Sequence, residues 1–417
     1  MPTVLEAELV ATGDELMSGA ISDTNGAFAA GALREAGVLV RRMSVVGDAL
    51  DDMAAALREA GARARVVVVC GGLGPTEDDR TAQAAAAVAG VPLVRSDFAL
   101  AHIREMFRRL GSPMTVNNEK QADLPQDAEI LDNPVGTAVG FALAIGDSRM
   151  YFLPGVPHEY RKMLREQVLP RLATLAGGDV RHMVRVLRLF GIGESKLETE
   201  LAGAEIPPTV AVGYRATWPE LHLRLYASGP GDLAGALDAA ERAIRERVDR
   251  RIYATGDVTL AQTIGELLRK RGWRLAVAES CTGGLLGATC TDAPGASDWF
   301  ECGYVTYSND SKTRFLEVSP QMLAAHGAVS REVASAMAAQ ARALAGVPVA
   351  LSVTGIAGPA GGTPEKPVGT VWIGLATESK VTSKKYQFPY DRERVRQRSV
   401  WTALERLRRL LLELPEE

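Results

Sequence analysis

LAVAESCTGGLL, residues 275–286, reads as a strand, a turn and the start of a helix. The apolar run Leu275 to Ala278 has the length of a short buried strand, and Gly283 and Gly284 open a helix directly after Ser280, Cys281 and Thr282. A strand-to-helix turn of this kind holds a hydroxyl or thiol at its tip, while the helix N-terminus stabilises negative charge on a substrate. Acyl transfer or amide hydrolysis suits such a turn. A plainer reading is that Thr282 caps the helix and the glycines allow close packing, and this stretch alone leaves both readings open.

From here to the C-terminus, strands at Leu275, Tyr304, Val349 and Val371 alternate with helices. The N-terminal part has the same rhythm: Leu5 to Ala11, Val38 to Val46 and Arg65 to Cys70 read as strands, and Asp51 to Ala64 and Asp78 to Gly90 as helices. Such alternation implies a mostly parallel sheet covered on both faces. In between, Arg185 to Phe190 and Leu221 to Ala227 alternate like strands with one exposed face, and Leu233 to Val248 has helical periodicity. A linker is expected from Leu169-Pro170 through Ala176, Gly177 and Gly178, and a second boundary near Ala254 to Val258. The predicted architecture is an α/β domain over residues 1–172, a small α+β connector over 173–255 and a second α/β domain over 256–417.

A chain of 417 residues has room for two or three such domains. Its 47% hydrophobic content and net charge of -4 describe an ordinary globular protein with no general attraction for nucleic acid or an anionic membrane. The longest apolar stretches, such as Val66 to Val69, are strand-length and far too short to span a bilayer. Glu6 and Glu8 interrupt the place where the apolar core of a signal peptide would lie, so a cytoplasmic protein is expected. The four cysteines, Cys70, Cys281, Cys290 and Cys302, show no CxxC spacing and are read as reduced thiols.

Ligands of open α/β sheets bind beyond the carboxyl ends of the strands. There the N-terminal part carries Thr12-Gly13-Asp14-Glu15-Leu16, then Gly71-Gly72-Leu73-Gly74-Pro75-Thr76-Glu77-Asp78-Asp79, then Pro154-Gly155-Val156-Pro157-His158-Glu159. Glycines let backbone amides approach a phosphate or pyrophosphate, and Asp14, Glu15, Asp78 and Asp79 are candidate ligands of one divalent cation. Against this, Thr76 to Asp79 also has the composition of a helix cap, and an isolated histidine such as His158 is more often a surface residue.

The C-terminal part has the components of an amidase. Gly303 to Lys312 reads as a strand running into a polar helix start, with Lys312 as candidate base and Tyr307 as a group that relays the proton or orients Lys312. A serine hydroxyl needs a neighbour to take its proton, and a desolvated lysine can do so. His326, the only histidine after residue 254, sits in an Ala-rich helical segment and is the weaker base. The bland alternative for Lys312 is a solvated surface lysine. Val353 to Thr370 is a glycine-rich loop in which Thr354 can donate to a ligand; Lys366 lacks the neighbours of a Walker A lysine. Asp391 to Arg396 opens the last helix with three arginines, either a phosphate fork or a solvated face.

GDELMSG (13–19), GGLGPTEDD (71–79) and PGVPHE (154–159), in this order, resemble the molybdopterin-binding-like domain that opens the CinA (competence/damage-inducible protein) family. Phe190-Gly191-Ile192-Gly193-Glu194-Ser195 resembles that family's KH-like connector, and AESCTGGLL the head of its C-terminal domain. The resemblance implies a C-terminal deamidase that turns nicotinamide mononucleotide into nicotinate mononucleotide and ammonia without a cofactor. By the family pattern Ser280 is the nucleophile, Lys312 the base and Tyr307 its partner. Cys281, Thr282, Gly283, Thr354, Gly355, Gly358 and Arg394 fall at the substrate, with amides near Thr282 and Gly283 facing the oxyanion. For the N-terminal domain the resemblance implies an ADP-ribose pyrophosphatase using magnesium, manganese or cobalt, with Gly13, Gly71, Gly72, Gly74, Pro75, Thr76, His158 and Glu159 around the nucleotide. It also implies a homodimer. Cys281 stays a rival nucleophile, since a thiolate at a helix N-terminus needs no base. Two other function classes stand beside the amidohydrolase: a protein binding a molybdopterin-like ligand, and an interaction partner in competence or DNA damage without direct nucleic-acid contact.

Overall fold

Four consecutive valines, Val66 to Val69, decide the N-terminal architecture, because all four side chains are buried and they face alternately opposite ways. In the computed structural model, which describes residues 5–175, 181–229 and 231–415, Val67 and Val69 enter one hydrophobic core, and Val66 and Val68 enter another. A strand buried on both faces is the mark of a sheet sandwiched between helices.

That sheet is built from β1 (Glu6–Thr12), β2 (Leu39–Val46) and β3 (Val66–Cys70); β4 (Leu93–Arg95) and β5 (Asp123–Pro125) form a separate small ribbon; then β6 (Glu129–Leu131), β7 (Gly140–Ile145) and β8 (Ser148–Leu153) complete it. The order is β2-β1-β3-β8-β7-β6, parallel from β2 to β8 and antiparallel thereafter. Helices Leu50–Arg63, Thr81–Ala89 and Asp97–Leu110 pack on one face, and helices Thr24–Glu35 and Pro157–Met163 on the other.

β9 (Arg181–Leu189), β10 (Val210–Thr217), β11 (Glu220–Gly229) and β12 (Ile252–Thr255) form a four-stranded sheet of order β10-β11-β9-β12. The C-terminal sheet contains β13 (Leu275–Glu279), β14 (Phe300–Val305), β15 (Val349–Gly355), β16 (Thr370–Thr377) and β17 (Val381–Gln387), in the order β14-β13-β15-β16-β17. β13 lies parallel between β14 and β15, and its side chains alternate between cores: Leu275 and Val277 on one side, Ala276 and Ala278 on the other. By contact the chain divides into two units, residues 1–184 with 226–236 and residues 185–225 with 237–417. Among the described residues no helix is long and apolar enough to cross a membrane.

Three local expectations need correction. Leu169–Leu175 is helical, not the start of a linker, because Leu172 is fully buried in the N-terminal core; Ala176, Gly177 and Gly178 lie outside the described residues. The helix expected from Asp78 begins only at Thr81, because Asp79 ties back to the Thr76 amide at 2.9 Å and the Thr81 amide donates to Gly72 O at 3.1 Å. β10 was not anticipated, since only Val210 of its eight residues is buried and no alternation shows.

Candidate active site

β13 ends at Glu279, and Ser280 is held at its tip by its backbone amide, which donates a hydrogen bond to Val353 O at 2.9 Å. Gly283 donates to Ser280 O at 3.1 Å, closing the turn. Gly283 and Gly284 take φ of 58° and 96°, a left-handed region in which a side chain is strained. The helix Leu285–Thr291 follows.

Its cap is not Thr282. Glu279, 1% exposed, accepts from the amides of Gly284 (3.0 Å), Leu286 (3.0 Å) and Gly287 (2.8 Å), so a buried carboxylate fills the helix N-terminus that the sequence left open for substrate. Thr282 is buried with its hydroxyl unpartnered among the described residues. The amides of Cys281 and Thr282 make no backbone–backbone bond in the turn among the described residues, whereas that of Gly283 is spent within it.

Lys312 lies in the helix Asn309–Leu316, capped by the Ser308 hydroxyl. Its side chain is fully buried. Nζ stands 3.0 Å from Ser280 Oγ, 2.8 Å from Thr306 O and 3.2 Å from Tyr307 O. Burial lowers its pKa from 10.5 to about 8. A neutral amine has two hydrogens and one lone pair, which match these three neighbours: the hydrogens go to the two carbonyls, and the lone pair accepts the Ser280 proton. The solvated-lysine reading is therefore set aside.

Cys281 loses its claim as nucleophile. It belongs to the buried cluster of Leu275, Val277 and Leu286, and burial pushes its thiol up to about 12, so it stays protonated at neutral pH. The same placement takes its side chain away from a substrate. His326 is no base for Ser280 either, its ring lying 3.7 Å from Glu332.

Other expected contacts are redistributed. Tyr307 orients Lys312 through its backbone carbonyl; its ring is exposed, and its phenol oxygen accepts from Arg392 Nη2 at 3.3 Å. Arg392 also donates to Gly358 O at 2.8 Å, and Arg396 Nη2 donates to Thr282 O at 2.8 Å. Arg394 turns away, its guanidinium 5.4 Å from the Trp218 ring centre, because residues four apart share a helix face and a residue midway between them does not. Thr354 is fully buried, with its hydroxyl given to Ala328 O at 2.9 Å, so it is not free to donate to a ligand. Gly355 has a packing role: a Cβ there would lie 2.8 Å from Thr370 O.

In the N-terminal unit the glycine loops surround a cavity of about 450 Å³. Gly13, Glu15, Gly71, Gly72, Gly74, Pro75, Asp78, Asp79 and Glu159 all line it. Thr76 and His158 do not, being exposed outside the lining. Asp14 is tied to Asp48 by reciprocal bonds of 3.0 Å, each carboxylate accepting the other residue's amide. Burial, with Asp14, Glu15 and Asp78 nearby, raises the Asp48 pKa. Among the described residues no three His, Cys, Asp or Glu side chains gather into a metal-holding cluster, so the four acids do not form a ready-made ligand set.

Three family models match in succession: the probable molybdopterin binding domain over residues 8–174, the damage-inducible protein CinA KH domain over 184–254, and the CinA C-terminal domain over 257–411. The CinA-like protein of Syntrophotalea carbinolica is 45% identical over 408 residues, spanning 98% of each chain. The chain belongs to the CinA family. The CinA-like protein of Citrifermentans bemidjiense is 44% identical over 410 residues, again spanning 98% of each chain. Among solved structures, a CinA superfamily protein from Klebsiella pneumoniae 700603 is 34% identical, spans 37% of this chain and 96% of its own, and has a TM-score of 0.36.

Within this CinA chain, sequence reasoning missed Glu279 and Asp48 and, among the three arginines named together, singled out Arg394 rather than Arg392 and Arg396. Glu279 reads as one more charge beside Ser280, and only its three amide contacts reveal its task. Arg392 and Arg396 were legible from helical spacing, which separates them from Arg394. Asp48 follows β2 at its carboxyl end, where ligand loops of such sheets lie, and that position was the available signal.

Proposed function

We propose that the C-terminal domain is a nicotinamide-nucleotide amidohydrolase that converts nicotinamide mononucleotide to nicotinate mononucleotide and ammonia. The observation that carries this reading is the 3.0 Å contact between Lys312 Nζ and Ser280 Oγ, made by an amine whose pKa burial lowers to about 8. Ser280 Oγ attacks the carboxamide carbon as its proton passes to the Lys312 lone pair. The oxyanion accepts from the Cys281 and Thr282 amides. The Lys312 ammonium returns the proton to the departing nitrogen, ammonia leaves, and an ester to Ser280 remains. Water then gives a proton to Lys312 and its hydroxyl to the acyl carbon; the bond from that carbon to Ser280 Oγ breaks as the Lys312 ammonium returns the proton to Oγ, which releases the acid and restores the serine. Arg392 and Arg396 face the substrate phosphate. Ammonia release from nicotinamide mononucleotide tests the reading.

The cavity of about 450 Å³ among glycine loops favours a second activity, cleavage of ADP-ribose with magnesium, manganese or cobalt. The ion would be held by one or two carboxylates together with the pyrophosphate, since no three-residue cluster exists among the described residues. AMP formation from ADP-ribose under each metal tests it; binding of a molybdopterin-like ligand without AMP formation would favour the alternative. The same reading makes the protein a cytoplasmic homodimer with no nucleic-acid or membrane partner, which sedimentation of the full chain tests for the dimer.

A further inference from the structure

The last helix, Arg392–Leu411, begins outside the core: Asp391 to Arg394 are exposed, and Val395 is the first buried residue. Helix ends with few core contacts open readily, yet Arg392 and Arg396 reach Gly358 O and Thr282 O from these first two turns. Successive residues turn by about 100°, which puts Arg394, Gln397 and Arg398 on one face and Arg392 and Arg396 on the opposite one. The first of these faces is held from outside the C-terminal sheet.

It meets Trp218-Pro219, the tip of the hairpin formed by β10 and β11. Trp218 Nε1 donates to Gln397 Oε1 at 2.7 Å, its ring makes a T-shaped pair with Tyr390 at 4.7 Å between centroids, and the Arg394 guanidinium lies over it at 5.4 Å. Pro219 O accepts from Arg398 Nη1 at 3.1 Å. Tyr390, Arg394, Gln397 and Arg398 are thus all tied to this tip. The tip is itself anchored, because Glu220, the next residue, accepts from Arg188 Nη1 at 3.2 Å and from the Tyr253 hydroxyl. An aromatic pair and an indole hydrogen bond are both directional, so together they fix the rotation of the helix as well as its position. Trp218 lies across the helix from Arg392 and Arg396, and its effect on a ligand passes through the helix.

We propose that Trp218 is a positioning residue for the phosphate end of the substrate: it fastens the first two turns of the last helix and so keeps Arg392 and Arg396 turned toward the site. This role rests on the amidohydrolase reading of Ser280 and Lys312. Ammonia release by full-length wild type, Trp218→Ala and Trp218→Phe is measured with nicotinamide mononucleotide. Nicotinamide riboside, the same molecule without its phosphate, is compared as substrate or, where its turnover is too slow, as competitor. Trp218 is 38% exposed, so its removal leaves the core intact. Trp218→Ala is expected to raise KM for the nucleotide about fivefold with kcat nearly unchanged, and to shift the riboside value by less than about twofold. Trp218→Phe keeps a ring and loses the Nε1 donor, and its KM is expected to fall between those of wild type and Trp218→Ala. Hydrogen exchange reads the clamp without substrate: the amides of residues 395–398 are expected to exchange about tenfold faster in Trp218→Ala, and those of the helix Leu260–Arg271 at the wild-type rate. Unchanged exchange at 395–398 overturns the clamp. Wild type that releases no ammonia, while Trp218→Ala exchanges faster, overturns the amidohydrolase reading and not the clamp. Wild type that turns over, with Trp218→Ala equal to it or weakened alike on nucleotide and riboside, overturns the positioning role.

Discussion

Lys312 Nζ lies 3.0 Å from Ser280 Oγ, with the carbonyls of Thr306 and Tyr307 taking its other contacts. Among the described residues no carboxylate pairs with it, so its buried charge is disfavoured and the neutral amine is populated near physiological pH.

Activity should therefore depend on deprotonated Lys312. The rate of ammonia release is expected to rise with pH through about 8 and then level off. A pH profile of kcat/KM checks this, and a rise centred near 6 would point to a different base.

Stability should follow the same group with a defined sign. The folded-state pKa of Lys312 is depressed, so between about 8 and 10.5 the unfolded chain binds more protons and stability increases with pH. Relative to Lys312→Met, wild type is expected to gain on the order of 2 kcal/mol across this window, the full shift being discounted for solvent screening. Urea unfolding at pH 7.5 and 10.5 reads the difference, and parallel behaviour of the two proteins would show that Lys312 is not desolvated.

Cys281→Ala should retain activity within a few-fold. With its thiol pushed up to about 12, Cys281 offers no thiolate at neutral pH, and iodoacetamide should leave the wild-type rate nearly unchanged. Loss of turnover in Cys281→Ala that remains folded would restore the thiol as nucleophile.

Glu279 should matter twice. Glu279→Leu leaves the buried Leu286 amide and the half-buried Gly284 and Gly287 amides without their carboxylate acceptor and is expected to cost on the order of 3 kcal/mol, at about 1 kcal/mol for each. Glu279→Gln keeps the shape and loses the charge, so a smaller fall in Tm is expected with a lower kcat as the Ser280 turn loosens. Thermal melts with steady-state kinetics separate the two effects.

The arginines of the last helix should split by helix face. Arg392→Gln and Arg396→Gln are each expected to raise KM about tenfold, the scale of one lost charge-assisted bond. Arg394→Gln should change KM by less than about twofold, because its guanidinium lies over Trp218. Equal effects at all three positions would count against the assignment.

What was legible in the sequence follows the range of the forces involved. Val66 to Val69 and Leu275 to Ala278 announce buried strands by composition alone, whereas Ser280 and Lys312 were candidates among others until the resemblance to the CinA family singled them out. Long-range contacts were not legible. Thr354 has the look of a ligand donor until its hydroxyl meets Ala328 O, and Glu279 is silent until the turn folds back over it. Cys281 sits one residue from Ser280, and only its burial in the core separates the two chemically.

The most direct measurement is ammonia release from nicotinamide mononucleotide by wild type, Ser280→Ala and Lys312→Ala in parallel. Wild type should turn over, Ser280→Ala should fall by at least ~10³-fold, and Lys312→Ala by ~10²–10⁴-fold with its activity no longer rising through pH 8. No ammonia from wild type, or near-normal turnover by Ser280→Ala, would contradict the account.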